Sequence, residues 1–116
     1  MSTREQGRDA EERVVRWMGD HGWKVLDRNF QIRAGEIDVI AEDGDERTLV
    51  FAEVRSRVSG PVWVSPLESI TAAKRRKIEL VARYYLMSYR GSAEAVRFDV
   101  FTWDAASIGW VKRAWG

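Results

Sequence analysis

No cysteine occurs anywhere in the 116-residue chain, which excludes disulfides, thiolate nucleophiles and cysteine-ligated zinc together. Histidine is almost as scarce. His21 stands alone, so neither a multi-histidine metal centre nor a histidine–metal nuclease finger can be assembled, and its place after a helical stretch reads as a surface or capping residue. No apolar run approaches the roughly 20 residues that span a bilayer. The N-terminus, Met-Ser-Thr-Arg-Glu-Gln-Gly-Arg, also lacks the apolar stretch of a signal peptide. These absences predict a cytoplasmic protein with no membrane partner. Net charge is +1, too small for bulk electrostatics to announce a nucleic-acid binder, so such a role requires a local patch. The basic residues are mostly arginine, whose planar fork suits phosphate better than the point charge of lysine.

What is present describes a folded domain. Hydrophobic residues make up 45% and charged residues 32%, which predicts one domain over 1–116 with its own core. Residues 3–20 read as a helix. Ser2 with Glu5 and Thr3 with Gln6 offer overlapping capping boxes, and Ala10, Val14, Trp17 and Met18 recur at helical spacing. Glu12 and Arg16 form an outer i,i+4 pair, and Gly19 and Gly22 close the helix. Strands are expected over 23–29, 36–41 and 48–56, the last two joined through Asp43-Gly44, a turn signal. In the second strand Ile37, Val39 and Ala41 share one face, and Glu36, Asp38 and Ile40 the other. In the third, Val50, Ala52 and Val54 lie opposite Leu49, Phe51, Glu53 and Arg55. Both prolines, Pro61 and Pro66, fall in a loop over 59–66. Thr71 caps a second helix running to about Ser88, with Ile78, Val81, Ala82, Tyr85 and Leu86 inward. A fourth strand over 96–103 turns Val96, Phe98 and Val100 inward, and 108–112 reads as a fifth, at an edge. Trp17 and Trp23 fit the core and Trp103 a sheet margin, Trp63 in the Gly-Pro loop either packs over a hydrophobic edge or stacks on a base, and Trp110 and Trp115 mark a candidate dimer surface.

The carboxylates fall in a pattern that a plain core does not need. In a hairpin turning around 44–46, residues whose numbers sum to about 90 face each other, which makes Asp38 and Glu53 near neighbours, about 5 Å apart at Cβ if directly paired. Two carboxylates this close repel, and a shared cation relieves them. Mg²⁺ is commonly held by one or two carboxylates with waters and substrate phosphate. Arg55 on the same face offers a plainer alternative, an ion-pair cluster that neutralises both acids. Glu11 sits at the margin of the first helix's apolar stripe and points toward the sheet, either as a third carboxylate for that cation or as the partner of an arginine. Lys74 lies on one helical line with Ile78, Ala82 and Tyr85, within reach of the sheet's end. The run Lys74-Arg75-Arg76-Lys77 reads as a solvated face or, with Arg33, Arg55 and Arg57, as a phosphate-contacting patch.

Taken together, Gly7-x-x-x-Glu11, Gly22-Trp23, Arg28-Asn29, Gly35-Glu36-Ile37-Asp38-Val39-Ile40-Ala41, Phe51-x-Glu53-Val54-Arg55-x-Arg57, Lys74 and Arg97-Phe98-Asp99-Val100 resemble the small bacterial YraN-like family. The likeness runs from Gly7 to about Val100. It implies an α/β protein of the restriction-endonuclease-like fold, an α-β-β-β-α-β core with a central mixed sheet flanked by helices, as in Holliday-junction resolvases. It also implies a Mg²⁺- or Mn²⁺-dependent DNA endonuclease. Asp38, Glu53 and the Val54 carbonyl would hold the metal with help from Glu11, and Arg33, Arg57, Lys74 and Arg75 would meet DNA phosphates. Arg55 stands where such nucleases usually carry lysine. Arginine stays charged and cannot serve as a general base, but it can stabilise a transition state electrostatically, and Lys74 is the nearest candidate for the missing lysine. A nuclease-fold nucleic-acid-binding protein without catalysis, as a homodimer or an accessory subunit in DNA repair or uptake, is the alternative expectation.

Overall fold

Helical spacing puts Ala10, Val14 and Met18 on one side of α1 (Thr3–Asp20), and all three are fully buried. The helix ends where Gly22 takes φ 78°, a left-handed turn that lets the Trp23 N–H close back on the Met18 carbonyl at 2.9 Å. His21 stays exposed, with its ring stacked on Trp17 at 3.8 Å and its Nδ1 2.8 Å from the Trp17 carbonyl oxygen. The computed structural model describes residues 3–56, 70–104 and 106–115. The capping role expected of Ser2, the loop over 59–66 with Trp63, and Arg57 lie outside the described residues.

Five strands follow or flank the second helix: β1 (Lys24–Ile32), β2 (Gly35–Asp43), β3 (Thr48–Ser56), then α2 (Ala72–Leu86), β4 (Ala95–Trp103) and β5 (Ile108–Trp115). They form one sheet in the order β1-β2-β3-β4-β5. All neighbours are antiparallel except β3 and β4. A parallel pair requires a long crossover, and the chain between β3 and β4 supplies it with α2. Thr71 caps that helix as expected, its Oγ1 accepting the Lys74 N–H at 3.2 Å. The α-β-β-β-α-β order and the mixed sheet are therefore those anticipated. The two helices cover opposite faces. α1 packs on Val39, Ala41, Val50, Ala52 and Phe101, and α2 packs on Ile40, Leu49, Phe51 and Val100. Among the described residues no helix is long and apolar enough to cross a membrane.

Several local expectations need correction. Ile37 does not share a face with Val39 and Ala41 but packs in the α2 layer, because β2 changes faces at Asp38. Glu12 pairs with Arg28 of β1 at 2.7 Å and not with Arg16, since a cation on a neighbouring strand lies closer than one a turn away. Val96 is 43% exposed and Leu86 37%: one opens β4 and the other closes α2, past the ends of the core layer. The β2–β3 connection turns at Asp43-Gly44 as expected, and its left-handed residue is Arg47, at φ 52°. β5 extends to Trp115, further than its sequence pattern indicated.

Trp110 and Trp115 have partners within the chain. Trp115 stacks on Phe98 at 5.3 Å, and Trp110 packs against Trp17 and Phe101 while donating its Nε1–H to Asp99 at 3.0 Å. That hydrogen bond belongs to a buried charge cluster which the sequence pattern does not reveal. Arg97, 2% exposed, donates to Asp99 at 2.9 Å, to Glu46 at 2.8 Å and to Asp43 at 3.4 Å. Its guanidinium also lies over the Trp23 ring, 5.4 Å from the centroid. The cluster ties β4 to the β2–β3 turn. It also ties β4 to β5, whose Arg113 N–H reaches Asp99 at 2.9 Å.

Candidate functional site

The hairpin register is the one the sequence implied. Val39 pairs with Ala52 and Ile40 with Phe51, so Asp38 and Glu53 occupy the next position along the same ladder. No backbone pairing continues there. The Asp38 carboxylate takes the place of a strand carbonyl, its Oδ2 accepting the Val54 N–H at 2.8 Å. The strands part around this carboxylate, and the opening sits at the C-terminal end of β3, beside the first turn of α2.

Glu53 is the most buried acid of the group, 5% exposed. Burial first, and the facing Asp38 second, push its carboxyl up from the ordinary glutamate range to about 7. Burial also raises Asp38, partly offset by the Val54 N–H and by a hydrogen bond with Glu53. Burial thus holds both carboxyls above their ordinary range, with repulsion from Asp38 adding to it at Glu53. Two cations approach the same oxygen: Lys74 Nζ lies 3.6 Å from Glu53 Oε1, and an Arg55 terminal nitrogen lies 3.7 Å from it. These distances are long for charge-assisted hydrogen bonds, so the cations lean on the pair without closing over it. Among the described residues Arg55 Nε has no hydrogen-bond partner.

Glu11 enters from the opposite layer. Burial raises its carboxyl, and the next cause is the nearby Asp38, so α1 aims this acid toward the pair as its helical phase implied. Its Oε1 is buried with no hydrogen-bond partner among the described residues, although buried carboxylate oxygens are almost always satisfied. Among the described residues no group of three or more acids or histidines forms a ready-made metal cage. The site therefore offers a carboxylate pair with a third acid behind it, all hard oxygen donors.

The proposed phosphate contacts divide. Lys74 is at the site. Arg33 is exposed in the β1–β2 turn, and α2 passes close to the start of β2, where a Cβ at Gly35 would lie 3.6 Å from Lys77 Cβ. Arg75 lies over the Trp115 ring, 5.5 Å from its centroid, away from the acid pair. Asn29, quoted in the sequence only as part of a motif, lies opposite Asp38 in the β1–β2 register and takes φ 53°. Its signal in the sequence is the Arg-Asn pair inside a strand, where asparagine is otherwise disfavoured.

Residues 10–102 match the profile described as Uncharacterised protein family UPF0102. A UPF0102 protein of Dechloromonas aromatica (strain RCB) is 43% identical over 114 residues, covering 97% of this chain and 90% of that protein. One from Persephonella marina (strain DSM 14350 / EX-H1) is 38% identical over 109 residues, covering 94% and 91%. Among solved structures, that of Pyrococcus furiosus SfsA in complex with Ca²⁺ is similar, with a TM-score of 0.37 and 13% identity. That alignment covers 97% of this chain, which spans 63% of the SfsA chain.

Proposed function

The chain belongs to the Uncharacterised protein family UPF0102, and we propose that it hydrolyses phosphodiester bonds in DNA with Mg²⁺ or Mn²⁺ held at the Asp38–Glu53 pair. The observation that carries this is the carboxylate pair of buried Glu53 and half-buried Asp38, which stands at a parting of two strands with a lysine beside it. The donor set fits such a cation: hard oxygens from Asp38 and Glu53, with the unpartnered Glu11 oxygen behind them. The cation would polarise the scissile phosphate and lower the pKa of the attacking water. Asp38 and Glu53 bind and orient. Burial of Glu53 keeps competing water from its carboxylate, while Arg55 and Lys74 offer positive charge where negative charge develops on the phosphate. Lys74 arrives from α2 and not from β3, which supplies the lysine missing at position 55. Arg33, Arg57 and the basic start of α2 would follow the phosphate backbone on either side.

One observation favours a second reading. Both cations already approach Glu53 Oε1, so the acid pair is internally compensated, as in a nuclease-fold protein that binds nucleic acid without cutting it, alone or within a DNA-processing complex.

Nicking of duplex, flap and four-way-junction DNA in Mg²⁺ or Mn²⁺ separates the two. The endonuclease should nick at least one of these substrates, and Asp38→Asn should stop it and abolish Mn²⁺ binding in calorimetry. A wild type that binds DNA with a steep salt dependence, takes up no Mn²⁺ and never nicks would leave only the second reading. Lys74→Ala should slow nicking by about 10²–10³-fold, the usual loss when one transition-state donor is removed. Mn²⁺ affinity should hold or rise, because a competing cation has left. Unchanged nicking would exclude Lys74 from the chemistry.

A further inference from the structure

α2 carries a second apolar line besides the one that faces the core. Ile78, Val81 and Ala82 are buried against the sheet, whereas Leu80, Tyr84 and Met87 are 52%, 55% and 75% exposed. Spacings of four and three residues stack these three on one flank of the helix, and Met87 at its C-cap keeps helical backbone angles. Single exposed apolar side chains need no account, but three in line form a patch. The patch lies beside the β1–β2 turn. Phe30 of β1 sits 6.4 Å from the Tyr84 ring, with the planes 32° apart, and a Cβ at Gly35 of β2 would lie 3.6 Å from Lys77 Cβ. Phe30 and Gly35 bracket the exposed Arg33, so Arg33, Lys77 and Tyr84 gather on one side of the molecule.

Charge on this helix is one-sided. α2 holds Lys74, Arg75, Arg76, Lys77 and Arg83 against one acid, Glu79, in a chain whose net charge is +1. It is the local basic patch that bulk composition does not announce. Cations on their own suit any phosphate backbone. A duplex, however, keeps its bases stacked inside and offers nothing apolar to a tyrosine flanked by leucine and methionine. An unpaired strand offers both phosphates for the cations and a base face for the ring, the combination that holds single-stranded DNA without sequence preference.

We propose that the Leu80–Tyr84–Met87 flank of α2 is a docking platform for single-stranded DNA, with an unpaired base stacked on Tyr84 and the backbone held by Lys77, Arg83 and Arg33. The platform rests on the reading of the chain as a DNA-processing protein, and it narrows the substrate to DNA with an unpaired strand, such as a flap. Lys74 stands at the acid pair, and Tyr84 lies further along the same helix, about 15 Å away at a rise of about 1.5 Å per residue. A strand leaving the acid pair along α2 would pass Lys77 and meet the tyrosine within a few nucleotides.

Fluorescence anisotropy with a labelled oligo-dT strand and a blunt duplex of equal length tests this in EDTA, where neither metal uptake nor cutting enters. The wild type should bind the single strand more tightly than the duplex. Tyr84→Ala should weaken single-strand binding about tenfold, the loss of one stacked base, and leave duplex binding unchanged; Tyr84→Trp should restore it. Lys77→Ala should weaken both ligands alike and lower the salt slope by about one. A wild type that prefers duplex, or a Tyr84→Ala loss that is absent or shared equally by the duplex, would overturn the proposal. Stacking itself is read with 2-aminopurine placed in the strand. Its fluorescence should fall on binding to the wild type and hold on binding to Tyr84→Ala, and an equal fall in both also refutes the platform. If these results hold in a protein that never nicks, the endonuclease reading fails and the platform stands. Nicking without Tyr84-dependent binding sinks the platform alone.

Discussion

Glu53→Gln should make the metal-free protein more stable at pH 8 while removing its response to Mg²⁺ and any DNA nicking. The folded protein holds the Glu53 proton more tightly than the unfolded chain does, because burial and Asp38 raise its pKa from the usual 4.5 to about 7. The contribution to stability is therefore full below about pH 4.5 and is lost as pH rises through 7. Above that, the native state carries a buried charge whose cost, from the size of the shift, reaches at most about 3 kcal/mol. Glutamine keeps the shape of the protonated acid and never ionises. Urea denaturation from pH 5 to pH 8 should show wild-type stability falling and the variant's curve nearly flat, with a gap of about 2–3 kcal/mol at pH 8. Adding Mg²⁺ at pH 8 should raise wild-type stability, as any ligand of the native state does, and leave the variant unchanged. A wild type that gains stability from pH 5 to pH 8 without metal would contradict the raised Glu53 carboxyl. A variant that still nicks would remove Glu53 from the chemistry.

Arg97→Ala should cost about 3–5 kcal/mol, the usual penalty for stripping the partner from buried charges. Asp99 is fully buried and Asp43 is 5% exposed, and both lose a charged donor in the variant. The stacking of the guanidinium over Trp23 goes as well. Among the described residues Asp99 keeps the Trp110 Nε1–H and the Arg113 N–H, too little for a carboxylate out of water. Denaturation at pH 7 checks this, and a loss below about 1 kcal/mol would mean that water or a rearranged side chain replaces the arginine. The cluster lies by the β2–β3 turn, while the acid pair lies at the other end of the β2–β3 ladder. Arg97→Ala should therefore lower stability without touching Mn²⁺ affinity in whatever fraction stays folded.

Much of the site was legible because two local rules generate it. A hairpin register follows from turn position, and it put Asp38 next to Glu53. Helical phase follows from spacing, and it aimed Glu11 at the sheet and Lys74 at the strand ends. The face switch was not legible, since alternation in β2 continues on paper through Ile37, Val39 and Ala41. Only the left-handed Asn29 across the register breaks it. Arg97 and Asp99 read as ordinary charges of a strand whose apolar residues face one way. Their burial arises because Trp23, Trp110 and the β2–β3 turn close over the opposite face, and those partners are distant in the chain.

Element order, strand register and the kinship with UPF0102 thus follow from the sequence alone, because each is written in spacings of a few residues. Contacts between layers decided the rest: which cations lean on Glu53, which face Ile37 takes, and which carboxylates Arg97 gathers. Those depend on side chains brought together from separate elements, which no local period encodes.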